Sequence, residues 1–172
     1  METINSLSFP LTVSIFFILG LVIGSFANCC IYRLPKKESI IFPKSRCPAC
    51  AAPVGPLDNI PVLSFFILGG KCRDCKNSIS TIYPTVEIVT GLLFLAGYFK
   101  FGFSFDFLVW IVVAPALIII TAIDIEHQII PDIITLPGMI LGLAAGSYST
   151  GYFNSFMGFL LGGGLFYLLS IL

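Results

Sequence analysis

The sequence predicts an all-α polytopic membrane protein with about five transmembrane helices and a cytoplasmic zinc-binding loop between helices 1 and 2. Composition carries the first part: of 172 residues, 57% are hydrophobic and 10% charged, against roughly 25% charged in an average soluble domain. Mean hydropathy is +1.01, and a chain this short cannot hide so much apolar surface in a core of its own. Patterning carries the rest. Five long apolar stretches are set apart by polar segments, and the segment after the first stretch holds four of the six cysteines and most of the basic residues.

In chain order the stretches are 9–31, 86–103, 107–123, 133–148 and 153–172, each near the roughly 20 residues that cross a hydrocarbon core. The first is expected to be retained rather than cleaved as a signal peptide. Only Glu2 is charged before it, and its apolar run is too long for an h-region. The domains expected are an N-terminal transmembrane helix (1–32), a polar loop (33–82) and a transmembrane core (83–172). Eight of the nine Lys and Arg fall between Arg33 and Lys76, with Lys100 alone elsewhere. The positive-inside rule then puts the loop in the cytoplasm and the N-terminus outside. Counting crossings brings the end of the third stretch, Asp124, to the cytoplasmic membrane face.

Cys47-Pro-Ala-Cys50 and Cys72-Arg-Asp-Cys75, with 21 residues between the pairs, have the spacing of a four-thiolate zinc site. Two disulfides or a redox pair are the alternative, which a reducing cytoplasm disfavours. A closed four-cysteine site leaves no open coordination position, so its role would be structural. The loop has little apolar mass, and a metal would supply much of its folding energy. Cys29 and Cys30 lie at the end of the first helix with no charge partner nearby and are expected to pack, with Gly24 and Ser25 permitting close helix approach.

Asp124 closes the third stretch in the run Ile-Asp-Ile-Glu-His-Gln-Ile-Ile-Pro-Asp. An ionisable group at a bilayer edge points to function, while its neighbours Glu126 and His127 also allow a solvated polar turn. An aspartic peptidase needs two carboxylates sharing a proton, and one alone cannot suffice. Asp132, after Pro131, is expected to be an N-cap, His127 a surface residue, and Glu87 a first-turn acid that favours the helix dipole. The basic cluster is explained by topology, so no nucleic-acid footprint is present.

A set of motifs carries a resemblance. They are Gly24-Ser25-Phe26…Asn28…Ile31-Tyr32-Arg33-Leu34-Pro35, the paired Cys-x-x-Cys, Asn59-Ile60-Pro61-Val62-Leu63-Ser64, Gly70-Lys71-Cys72-Arg73-x-Cys75, Tyr83-Pro84-x-Val86-Glu87 and Ile123-Asp124-x-Glu126…Ile130-Pro131-Asp132. In this order they resemble the type IV prepilin peptidases, membrane aspartic peptidases of the Gly-x-Gly-Asp type in the bacterial inner membrane. The resemblance runs from about residue 20 to the last residue. It implies cleavage of the short basic leader of type IV prepilins or pseudopilins at the cytoplasmic face, in pilus assembly or type II secretion. It also implies N-methylation of the new terminus with S-adenosylmethionine. The first catalytic aspartate falls on Asp124, and the cysteine loop is associated with methyl transfer.

Three departures accompany it. No Gly-x-Gly-Asp motif, expected to carry the second aspartate, occurs in the 172 residues, and the chain stops inside an apolar run that begins Gly162-Gly163-Gly164. A C-terminally truncated chain, inactive alone, is the expectation. Ile82 and Gly69 stand where family members often carry basic residues. A catalytically inactive scaffold with a structural zinc loop is the alternative function, and a methyltransferase without proteolysis a further one.

Overall fold

A computed structural model describes the backbone of residues 2–171 and the side chains of residues 9–162. The described residues form helices joined by loops, with two isolated β-bridges and no strand. The helices are α1 (Glu2–Arg33), α2 (Leu63–Ile67), α3 (Ile82–Phe101), α4 (Phe105–His127), α5 (Asp132–Thr150) and α6 (Tyr152–Ile171), with one 3₁₀ turn at Leu57–Asn59. Four segments of described residues are long and apolar enough to cross a membrane: Phe9–Arg33, Ile82–Phe101, Phe105–His127 and Asp132–Thr150. The fifth stretch expected from the sequence forms α6, whose side chains from residue 163 onward lie outside the described set.

The chain divides into two compact units, Met1–Ile130 and Pro131–Leu172. In the first, α1 lies directly against α3, and glycines make that approach possible. A Cβ added at Gly24 would stand 2.7 Å from the Cα of Glu87, and one at Gly20 would stand 2.7 Å from the Cα of Gly91. Helices in lipid associate through such backbone-close contacts, because apolar side chains gain nothing by leaving apolar lipid. The expectation for Gly24 is met. Against this pair sits α4, reached from α3 by a three-residue turn. Phe107 is fully buried there, edge-on to Phe16 with ring centroids 4.9 Å apart. The Trp110 indole N–H donates to the Leu93 carbonyl at 2.8 Å, with its ring against Gly97. Cys30 is buried, as packing requires, and the half-buried Cys29 thiol approaches the Ile40 carbonyl at 3.8 Å.

Two boundaries correct the sequence-based expectations. Helix α3 begins at Ile82, four residues before the apolar stretch, because Pro84 falls in the first turn, where the missing N–H is no loss. Glu87 is therefore in the second turn and buried, so it is not a first-turn dipole acid. At α5, Pro131 occupies the N-cap with extended backbone, and no side chain caps the helix. Asp132 is thus an exposed first-turn acid, which the helix dipole still favours, and not the N-cap.

In the second unit, α5 and α6 form a helical hairpin around Gly151 (φ +90). The Ser155 hydroxyl donates to the Leu143 carbonyl at 3.0 Å, and Gly146 leaves room for that side chain.

Candidate functional site

The polar loop is built as two copies of one turn. In the first, Cys47 N–H donates to Ala52 O and Ala51 N–H to Cys47 O, both at 2.9 Å; in the second, Cys72 N–H donates to Asn77 O at 2.8 Å and Lys76 N–H to Cys72 O at 3.1 Å. Ala51 (φ +57) and Lys76 (φ +60) are left-handed at the same place, four residues past the first cysteine of each pair. The bridges Arg46–Pro53 and Lys71–Ser78 close the two turns. This geometry turns both thiols of each pair to one side, and the four sulfurs all lie within 4.8 Å of one another. Cys47 Sγ and Cys75 Sγ are 3.8 Å apart. Four sulfurs about 2.3 Å from one tetrahedral ion would be separated by about 3.8 Å, so the donor set fits a four-thiolate metal centre. The Cys47 thiol is held down to about 7, chiefly by the backbone N–H groups of Cys50 and Ala49. Cys47 is thus favoured as the thiolate, whereas the neighbouring Cys50, despite a backbone bond from Ala52, is pushed up to about 12 by burial and the other cysteine thiols.

No residue from 34 to 83 is buried, so packing contributes little to the loop. Polar ties hold it instead. Arg73 grips Asp58 with two bonds of 2.8 and 2.6 Å, joining the second knuckle to the 3₁₀ turn after the first. Arg33, buried at the end of α1, donates to the carbonyls of Ser39 and Pro43 at 2.8 and 2.7 Å.

Between the loop and the ends of α1 and α3 lies a cavity of about 590 Å³, lined by Ser25, Asn28, Tyr32, Phe65, Tyr83 and Glu87 among others. Its deepest charged group is Glu87, 7% exposed. The carboxylate accepts the Val62 N–H at 2.7 Å, with Ser25 and Asn28 beside it. Asn28 in turn donates its amide N–H to the Tyr83 carbonyl at 2.9 Å. Val62 is the centre of a γ-turn with positive φ (φ 62, ψ −52), closed by Leu63 N–H to Pro61 O at 2.6 Å. A β-branched residue held there costs on the order of 1–3 kcal/mol, strain that tends to collect at functional sites. The sequence pointed to a helix-dipole role for Glu87 and not to a site at this cavity. The available signal was an acid placed inside an otherwise apolar membrane helix.

Asp124 lies in the last turn of α4, which ends in a left-handed Gln128 (φ 54) whose N–H caps the Asp124 carbonyl at 2.8 Å. Its neighbour Ile123 is fully buried while Asp124 itself is exposed, and no described side chain bonds or pairs with its carboxylate. It does not line the cavity. Helix α4 nevertheless returns to the loop end of its unit, where Glu126 comes within electrostatic range of the Tyr83 hydroxyl. The four cysteines are thus brought together, Asp124 stands apart from them, and His127 and Glu126 are exposed. Ile82 is exposed at the start of α3, and Gly69 (φ +60) occupies a left-handed turn after α2 that suits glycine.

Fold and site define a helical membrane protein with a four-cysteine cluster beside a cavity of mixed polar and aromatic lining. The model of the bacterial peptidase A24 N-terminal domain matches residues 18–101, and that of the type IV leader peptidase family matches residues 111–172. The chain belongs to this leader peptidase family. A prepilin leader peptidase/N-methyltransferase of Myxococcus xanthus is 42% identical over 135 residues, covering 78% of this chain and 40% of the relative. One from Pseudomonas aeruginosa is 35% identical over 156 residues, 76% of this chain and 53% of the relative. One from Bacillus subtilis is 42% identical over 120 residues, 70% and 48% respectively. The chain spans about half the length of these curated relatives. No solved structure matches it.

Proposed function

We propose that the protein is an aspartic endopeptidase that removes the leader peptide of type IV prepilins or pseudopilins at the cytoplasmic face of the bacterial inner membrane. The observation that carries this is Asp124, an exposed carboxylate with no structural partner among the described residues, at the end of a 23-residue apolar helix. A charge kept at such a place without capping or pairing is best accounted for by chemistry. In a carboxylate pair, the ionised member takes a proton from water while the protonated member gives its own to the scissile carbonyl oxygen. Asp124 supplies one member. The second is expected from a Gly-x-Gly-Asp motif, which the 172 residues do not contain.

Cys47, Cys50, Cys72 and Cys75 hold zinc in this proposal, and the ion fixes the loop over the cavity. By the positive-inside rule the basic loop would face the cytoplasm, where the basic leader would arrive. S-adenosylmethionine, when bound, supplies an electrophilic methyl group for the newly exposed amine. A cavity of about 590 Å³ falls within the range of about 300–1,000 Å³ that small-molecule sites occupy. Its polar lining (Ser25, Asn28, Glu87) would orient the ligand, with Tyr32 and Tyr83 excluding water.

The test uses the protein in its native membrane with a prepilin substrate. Asp124→Ala should abolish leader cleavage while membrane insertion is unchanged. Retained cleavage would remove Asp124 from the mechanism and leave the scaffold alternative.

A further inference from the structure

We propose that the cavity is a subsite for an organic cation, a primary ammonium or a sulfonium, and that Glu87 is the anion that receives it. Burying a carboxylate in a membrane helix is costly unless a partner offsets it. Glu87 is 7% exposed, yet its nearest donors, the Val62 N–H, Ser25 and Asn28, are neutral. Hydrogen bonds from neutral donors steady a charge without cancelling it.

Among the described residues no basic side chain bonds or pairs with Glu87, although Arg46 and Arg73 also line the cavity and Lys36 sits over the Tyr32 ring. Among the described residues the one ion pair is Arg73 with Asp58. Arg33 also lines the cavity, but its guanidinium is committed to the Ser39 and Pro43 carbonyls. The molecule thus holds a buried carboxyl group with no basic partner at an accessible cavity, held by the N–H of a strained turn at Val62, and a bound cation would favour its ionised form.

The walls narrow the class of cation. Tyr32, Phe65 and Tyr83 line the same cavity, and aromatic faces beside a carboxylate suit an alkylated cation better than a bare metal ion. Tyr32 already accepts such a contact on its ring, where the Lys36 ammonium sits 3.2 Å from the centroid. Only the source of the cation rests on the function proposed above. Leader cleavage would free an α-ammonium, and S-adenosylmethionine carries both a sulfonium and an ammonium.

The test is binding to the purified full protein in lipid nanodiscs, wild type against Glu87→Gln. Glutamine keeps an oxygen for the Val62 N–H and removes only the charge. The probes are phenylalaninamide, its neutral N-acetyl derivative, S-adenosylmethionine and S-adenosylhomocysteine. Losing a charge-assisted contact should weaken a cationic probe by about tenfold to a hundredfold and leave the N-acetyl derivative unchanged. Weakening of phenylalaninamide alone assigns the site to a peptide amine. Weakening of S-adenosylmethionine but not its thioether product assigns it to the sulfonium, and weakening of both to the amino-acid ammonium. The proposal is overturned if charged and neutral probes weaken equally, if none weakens, or if the wild type binds no cationic probe. Should Glu87→Gln fail to accumulate, the wild type carries the test: preference for phenylalaninamide over its N-acetyl derivative supports the site, and equal binding overturns it. Leader cleavage by the wild type and by Asp124→Ala is scored separately, so failure of the peptidase proposal leaves the binding result standing.

Discussion

Replacing Cys72 by serine should release the polar loop. The segment from 34 to 83 has no buried residue, so a metal bound by the four cysteines would add the main clamp to the two β-bridges, the Arg73–Asp58 pair and the bonds to Arg33 and Glu87. Structural zinc contributes about 10–16 kcal/mol to small zinc folds. If each of four ligands carried an equal share, losing one would cost roughly 2.5–4 kcal/mol, or about a hundredfold to nearly a thousandfold in the opening equilibrium. Trypsin can read this, because Lys44, Arg46, Lys71, Arg73 and Lys76 are all exposed in the loop. Cleavage tracks the opened population when closing is faster than cutting. In inverted membrane vesicles, Cys72→Ser and chelator-treated wild type should both be cut about a hundredfold or more faster than untreated wild type. Equal rates for all three would refute the argument that metal holds the loop. Cutting in right-side-out vesicles instead would refute its cytoplasmic placement.

Two further outcomes follow from the packing and charge. Gly24→Ala should destabilise the α1–α3 contact by about 1–3 kcal/mol, since its Cβ would meet the Glu87 Cα at 2.7 Å. Gly142→Ala, where nothing lies within 4 Å, should be neutral or slightly stabilising, and thermal unfolding in detergent compares them. The Arg73 hydrogen bond, then its charge, holds the Asp58 carboxyl below its ordinary value of 3.8. A lowered folded-state value stabilises above the ordinary one and is lost as pH falls through the lowered value. The difference in tryptic opening between wild type and Asp58→Asn should therefore stay constant from about pH 8 to pH 5, and shrink at high salt because Arg73 is exposed and Asp58 only partly buried. A difference that fades across that pH range would contradict the assignment.

Much of the architecture was legible because membrane helices announce themselves through length and hydropathy alone. The boundaries were less so. Apolar residues mark where a helix is in lipid, while hydrogen bonding decides where it ends, so α3 gains Ile82–Thr85 and α4 runs on to His127. The cysteine spacing was enough to expect a four-sulfur cluster, because each knuckle is a local turn whose geometry is set within about six residues. Asp132 shows the limit of capping rules: an acid next to a proline fits both the cap and the first turn, and Pro131 takes the cap.

The sequence by itself determined the class of protein, the membrane-spanning segments, the four-cysteine cluster and the family, since each depends on composition or on residues close in the chain. Only the tertiary structure decided the burial and the contacts of Glu87. Its surroundings come from three separated places: Ser25 and Asn28 on α1, the Val62 turn in the loop, and its own helix α3. Gly24 lets α1 come against the Glu87 backbone, and the knuckles carry the loop over both. A dipole-favouring acid and a buried acid look alike in sequence; the difference is burial, and burial exists only once distant segments have met.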